Sequence, residues 1–243
     1  MRRGAKIGIG LLTAAIALAL AVYFYAPHWH PSDKSYPVQG IDVSHHQNHI
    51  DWAQVAAMGE VDFAYIKATE GGDHVDRLFK SNWDEAAKVG IARGAYHFFT
   101  LCRPGKDQAA NFVATVPADP NALPPVVDLE YLGNCKERPK IADLHKELAD
   151  FLNVVEAHSG KPAMLYLTRE FDETYEVSAR VNRPLWLRSI VTKPRFGARP
   201  WAIWQVSQFR KIDGIKGGVD WNVASPDFAD LDSARTPLAR TTP

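Results

Sequence analysis

Hydrophobic and polar positions change period several times along this 243-residue chain. Arg2, Arg3 and Lys6 precede an unbroken run, Ile7 to Ala26, of 20 uncharged and mostly apolar residues. Such a run is long enough to cross the hydrocarbon core of a bilayer. Its positive flank stays in the cytoplasm, so the remainder is expected to be exported. Tyr23 and Tyr25 fit the outer interface. Ala19-Leu20-Ala21 offers a signal-peptidase site, but the apolar run continues past it, which favours a retained anchor over a cleaved signal. Residues 27–36, with Pro27 and Pro31, read as a short tether. From residue 37 short apolar runs alternate with amphipathic ones. Strands are predicted at Val38–Ser44, Phe63–Ala68, Ala92–Phe99, Val126–Tyr131, Ala163–Leu167, Leu185–Ile190, Ala202–Val206 and Gly218–Val223. Helices are predicted near Trp52–Met58, Asp76–Val89 and Gly105–Val116. A long one is predicted over Ile141–His158, where Leu144, Leu148, Phe151, Leu152 and Val155 share a face.

Strands separated by helical stretches argue for parallel βαβ units. Eight of them over residues 37–224 argue for an α/β fold. The expected form is a TIM-like barrel of eight mostly parallel strands, (β/α)5(β)3, because little room is left for helices among the last three. Residues 225–243 are polar with three prolines and are expected to be disordered in part. The remaining composition is ordinary: 46% hydrophobic, 23% charged and a formal net charge of zero. No basic field points to nucleic acid. A monomer is expected. Cys102 and Cys135 fall in loops leaving successive strands, so a disulfide fits an oxidising compartment, with two free thiols as the alternative.

A parallel barrel places its chemistry at the C-terminal ends of its strands. In this chain those ends collect acids and aromatics. Asp128 and Glu130 are two apart, so a strand projects them from one side. Two acids on one apolar face repel each other and lose water, which raises at least one pKa. Glycoside hydrolysis needs such a protonated acid beside an ionised carboxylate. An acidic strand end spilling into a solvated loop is the plainer reading. Asp42 and Asp220 lie on the first and last strands, which a closed barrel makes neighbours. Asp42, His45, His46, His49 and His97 raise the question of a metal site. Adjacent His45 and His46 tend to point apart, so no metal or other cofactor is expected. His97 reads as a packed residue behind Tyr96, and Trp52 and Trp83 read as core residues.

The ordered set of motifs resembles glycoside hydrolase family 25, the lysozymes (N-acetylmuramidases) that cut peptidoglycan. The carrying segments are Gly40-Ile41-Asp42-Val43-Ser44 with Gln47, and Phe63-Ala64-Tyr65-Ile66-Lys67-Ala68-Thr69-Glu70-Gly71. Gly94-Ala95-Tyr96-His97-Phe98, Asp128-Leu129-Glu130, Trp204-Gln205 and Val219-Asp220-Trp221-Asn222 complete it. The resemblance covers about residues 37–224. It implies Glu130 as general acid, Asp128 holding that proton and orienting the substrate, and Asp42 and Asp220 shaping the field at the reacting sugar. It further implies substrate contacts from Tyr96, Tyr166, Trp204 and Gln205, with Lys67 and Glu70 as supports. Acetamide participation with net retention is the implied route, and direct carboxylate attack is its competitor. A chitinase-like enzyme on another amino-sugar polymer, or a non-catalytic wall-binding module, are the alternative functions. Arg188 and Ser189 depart from the family's pattern, which commonly has Ala then an aromatic there, and Leu167 stands where Thr is frequent.

Overall fold

A computed structural model describes residues 2–228. The expected polar tail falls mostly outside them. Strands β1 (Gln39–Val43), β2 (Phe63–Glu70), β3 (His74–Val75), β4 (Ala92–Phe98), β5 (Val126–Leu129) and β6 (Met164–Leu167) are followed by β7 (Leu185–Arg188), β8 (Ile203–Arg210) and β9 (Val219–Ala224). Eight of them close a barrel in the order β1-β2-β4-β5-β6-β7-β8-β9, with β9 returning to β1. β3 is a short antiparallel addition to the end of β2. β1 through β8 run parallel around the barrel, whereas β9 is antiparallel to both β8 and β1. β8 also runs four residues beyond its expected end at Val206.

Helices α2 (Trp52–Ala57), α3 (Phe79–Lys88), α4 (Gly105–Thr115) and α5 (Ile141–Ser159) cover the first strands. The α5 face Leu144, Leu148, Phe151, Leu152 and Val155 is buried as its spacing predicts. Gly160 ends that helix in the left-handed conformation (φ 70°), where a side chain would be strained. α3 begins three residues later than expected. Asp76 instead turns the preceding loop, accepting from Leu78 N at 2.9 Å. Two short helices, α6 (Arg169–Tyr175) and α7 (Val177–Arg180), lie between β6 and β7 and were not anticipated. The long apolar helix α1 (Arg2–Tyr25) precedes the barrel, and the apolar window Leu11–His28, which runs just past its end, has no buried residue.

Period-two alternation divides the apolar side chains into two cores. Phe63, Tyr65, Val126, Met164, Trp186 and Ile203 plug the barrel interior. Gly94 is required inside, because a Cβ there would lie 2.2 Å from the Tyr65 ring. Outward residues, among them Ile66, Val127, Leu165, Trp204 and Val223, form the second core beneath the outer layer. No helix lies between β7 and β8 or between β8 and β9. There the outer layer is residues 27–36, which are docked and not a free tether. Lys211 N donates to Pro27 O at 2.8 Å. The Gln39 amide donates to Asp33 Oδ1 at 2.6 Å and to Pro31 O at 3.3 Å. The Tyr36 ring packs 5.9 Å from Trp204 and 6.1 Å from Trp201.

Candidate active site

The C-terminal mouth of the barrel opens into a cavity of about 170 Å³. Asp42, Asp128, Glu130 and Asp220 line it with Tyr96 and Tyr166, and Gln205 borders it as well. Asp128 is on the last turn of the β5 ladder, and Glu130 lies one residue beyond β5. The side chain of Asn134 ties that loop down. Its amide donates to Glu130 O at 3.0 Å and Phe99 O at 2.9 Å, while its oxygen accepts from Leu101 N at 2.9 Å. The neighbouring Cys135 is joined to Cys102 by a disulfide, so two loops of the mouth are covalently linked.

Asp220 reaches the mouth by a different route from the other acids. In the antiparallel β1–β9 ladder it is the direct partner of Asp42, so it sits near the beginning of its strand. Asp42 Oδ2 accepts from Asn222 Nδ2 at 2.8 Å and Gln205 Nε2 at 3.0 Å. Those amides are oriented in turn: Trp186 Nε1 donates to Asn222 Oδ1 and Tyr166 Oη to Gln205 Oε1, both at 2.9 Å. Each amide can therefore present only its NH₂ to Asp42.

Burial raises all four acids, because the charged form loses its water. Asp42 is pushed up to about 6, its rise limited by hydrogen bonds from Asn222 and Gln205. Glu130 is pushed up to about 7, with the Arg188 guanidinium opposing the rise. Asp220 is pushed up to about 9 by burial and by Asp42 beside it. Asp128 is raised well above the carboxylate range by burial and then by Glu130. Its Oδ1 is buried with no hydrogen-bond partner. The pocket thus holds several acids able to keep a proton near neutrality, and one oxygen still waiting for a donor.

Other expected site residues fall elsewhere. Trp204 is buried but does not line the cavity. Adjacent residues of a strand face opposite ways, so with Gln205 inward the Trp204 indole points outward, under Tyr36, and donates to Ser189 O at 2.6 Å. Lys67 and Glu70 form an ion pair at 2.8 Å and do not border the cavity. The Lys67 ammonium lies 5.0 Å over the Phe98 ring and acts on Asp128 and Glu130 through its field. The histidine group is dispersed. His45 and His46 do not point apart, since their rings lie 4.1 Å from each other, and His45 Nδ1 is 2.9 Å from Asp76 Oδ2. His49 follows a 3-10 turn and a positive-φ Asn48, so it does not share a helical face with His45. Buried His97 bonds Thr69 Oγ1 at 2.7 Å and Gln108 Oε1 at 3.0 Å, and burial lowers it to about 3. Among the described residues, the one cluster of His, Cys and acidic groups close enough for an ion contains Cys102 and Cys135, which the disulfide occupies. Trp186, Arg188, Gln208 and Leu132 line the cavity without having been singled out for it. The alternation Leu185-Trp186-Leu187-Arg188 carries the signal for two of them, as it places Trp186 and Arg188 on one face.

A closed barrel with buried, partly protonated acids at its mouth defines the class: a glycoside hydrolase. Residues 41–215 match the sequence model of Glycosyl hydrolases family 25. The uncharacterized protein YegX of Escherichia coli O6:H1 is 36% identical over 202 residues, covering 81% of this chain and 73% of YegX. Lysozyme M1 of Streptomyces globisporus is 34% identical over 224 residues, covering 83% of this chain and 72% of that protein. A solved family 25 glycosyl hydrolase from Bacillus anthracis superposes with a TM-score of 0.77 at 36% identity, over 87% of this chain and 98% of that one. The chain belongs to glycoside hydrolase family 25, and its activity is lysozyme-like.

Proposed function

We propose that this protein is an exported, membrane-anchored muramidase that cleaves the β-1,4 bond between N-acetylmuramic acid and N-acetylglucosamine in peptidoglycan. The observation that carries the reading is the acid pair at the end of β5: burial pushes Glu130 up to about 7, and Asp128 keeps a buried oxygen without a hydrogen-bond partner. Glu130 gives its proton to the leaving glycosidic oxygen. Asp128 Oδ1 accepts the N–H of the substrate's acetamide, which turns the amide oxygen toward the anomeric carbon. That oxygen forms a bond to C1 as the C1–O bond breaks. Water, deprotonated by Glu130, then reopens the ring with net retention. Asp42, raised only to about 6, carries negative charge opposite the developing oxocarbenium ion, and Asp220 beside it keeps its proton. Tyr96 and Tyr166 border the sugar, and Gln205 holds Asp42 in place. The apolar run of α1, with Arg2, Arg3 and Lys6 at the N-terminal end of that helix, supports export and a retained anchor.

The test is digestion of purified peptidoglycan by the full chain and by Glu130→Gln, with products reduced and identified by mass spectrometry. Muropeptides ending in reduced muramic acid, from the parent only, are expected. Ends in reduced glucosamine would instead assign an endo-N-acetylglucosaminidase. No new ends from an oxidised, folded sample would remove the hydrolase reading for this substrate. Intact-mass measurement of the membrane fraction decides whether residues 1–21 remain.

A further inference from the structure

The base of the apolar helix and the catalytic cavity share one piece of strand. In the last part of β8, Gln208 lines the cavity. The β8 ladder is irregular between Gln205 and Arg210, so Gln208 reaches the cavity while its neighbour Phe209 closes a second pocket with Val22, Tyr25, Trp29 and Val191. Pro27 is held by Lys211, the residue after β8. From there residues 27–38 descend the barrel's outer side: His30 packs near Trp221 at 6.1 Å, and Ala224 N donates to Val38 O at 2.9 Å, where β9 ends. The helix therefore leaves the barrel at the rim of its catalytic mouth, not at its closed end.

A second observation concerns the rest of the rim. The barrel's exposed large apolar residues are Val75, Leu132, Ile141, Val154 and Val191, and all but Val154 lie at the mouth end. Val75 is on β3 at the end of β2, Leu132 and Ile141 follow β5, and Val191 follows β7. Leu132 is 76% exposed and Val191 51%. The loop bearing Leu132 also exposes Lys136, Arg138 and Lys140 against one acid, Glu137. Apolar tips flanked by cations suit a surface of anionic lipid headgroups.

The geometry points to a catalytic mouth held against the outer face of the membrane that α1 crosses, so that its substrate is glycan lying along that surface. This rests on the retained-anchor muramidase reading. It assigns the rim of the mouth to anionic lipid and confines cleavage to membrane-proximal strands.

The test uses the full chain, with its disulfide oxidised, in vesicles of phosphatidylethanolamine and phosphatidylglycerol. An environment-sensitive fluorophore is attached at Leu132→Cys, at Ile141→Cys, or at Lys88→Cys on the closed end, and nitroxide-headgroup lipid is the quencher. Quenching several-fold stronger at 132 and 141 than at 88 is expected. Equal quenching at all three sites, or stronger quenching at 88, overturns the orientation, as does an intact mass lacking α1. Activity of the unlabelled chain on soluble glycan is read separately. An inactive chain that keeps the quenching pattern leaves the orientation standing and removes the muramidase reading. An active chain without the pattern does the reverse.

Discussion

The two halves of the barrel bury the same kind of surface with different materials. From β1 to β6 the outward apolar side chains are covered by helices, and Phe151 of α5 packs 4.8 Å from His97 and 5.7 Å from Phe99. From β7 to β9 they are as apolar, with Trp204, Val206, Trp221 and Val223 all buried, yet the connections hold no helix. Residues 27–36 and the loop 211–218 serve there instead; Ile212 and Ile215 of that loop join the outer core. An outer layer is demanded by the outward faces of the strands, and any segment within reach can supply it. The chemistry is divided along the same line. The helix-covered half brings Asp128 and Glu130, while the helix-poor half brings Arg188, Gln205, Asp220 and Asn222.

The largest expected effect tests that division. Glu130→Gln should lower kcat by about 10²–10⁴-fold, as loss of a general acid does, with little change in thermal stability. An equal loss of folding would assign Glu130 a structural part. Truncation compares the two outer layers. Phe151→Ala, on the covering helix α5 and fully buried, should cost about 3–5 kcal/mol in denaturant unfolding. Tyr36→Ala, half-buried under no helix, should cost less, about 1–2 kcal/mol. Equal costs would show that the docked segment is as integral as α5.

Arg188→Ala addresses the crossing of charge between halves. Its guanidinium opposes the rise of Glu130, so removing it should move the alkaline limb of the rate profile above the parent's value of about 7. The ratio of rates at pH 8 to pH 6 should increase, and an unchanged ratio would separate Arg188 from the acid electrostatically. The smallest effect concerns stability. Asp42, Glu130 and Asp220 all have folded pKa values above their unfolded ones, so the folded state binds more protons. Stability is then greatest below about pH 4 to 5 as far as these groups decide it, and falls as pH rises toward 9. Asp220→Asn should remove part of that loss, raising Tm at pH 8 by roughly 2–4 °C per kcal/mol recovered, on the order of 1 kcal/mol. No gain at pH 8 would mean that Asp220 is paired more favourably than its burial implies.

Much of this was legible in residue order. The α5 stripe Leu144, Leu148, Phe151, Leu152 and Val155 has a helical period, and the acids sit at strand ends where a parallel barrel exposes them. The antiparallel course of β9 was not legible, because period two is the same in either direction and only the short link from β8 argues for a hairpin. α6 and α7 were missed because each is too short to show a full amphipathic repeat. Trp204 was misplaced for a different reason. A family motif names Trp204 and Gln205 together, whereas a strand can turn only one of two neighbours into the cavity. Arg188 was noticed as a departure and not as a contributor, since its value depends on four acids gathered from distant parts of the chain.

The bond from Asn222 to Asp42 joins residues 180 positions apart, and the β1–β9 ladder closes the barrel over the same span. Contacts of such separation form late, after the loop between them has already lost its freedom. A chain that emerges N-terminus first therefore has its acid pair before it has a cavity. Asp42 gains both its amide donors, and the mouth its fourth acid, only when the last strand arrives. The enzyme is in this sense switched on by its own completion, a delay that keeps a hydrolase silent until the whole barrel has closed.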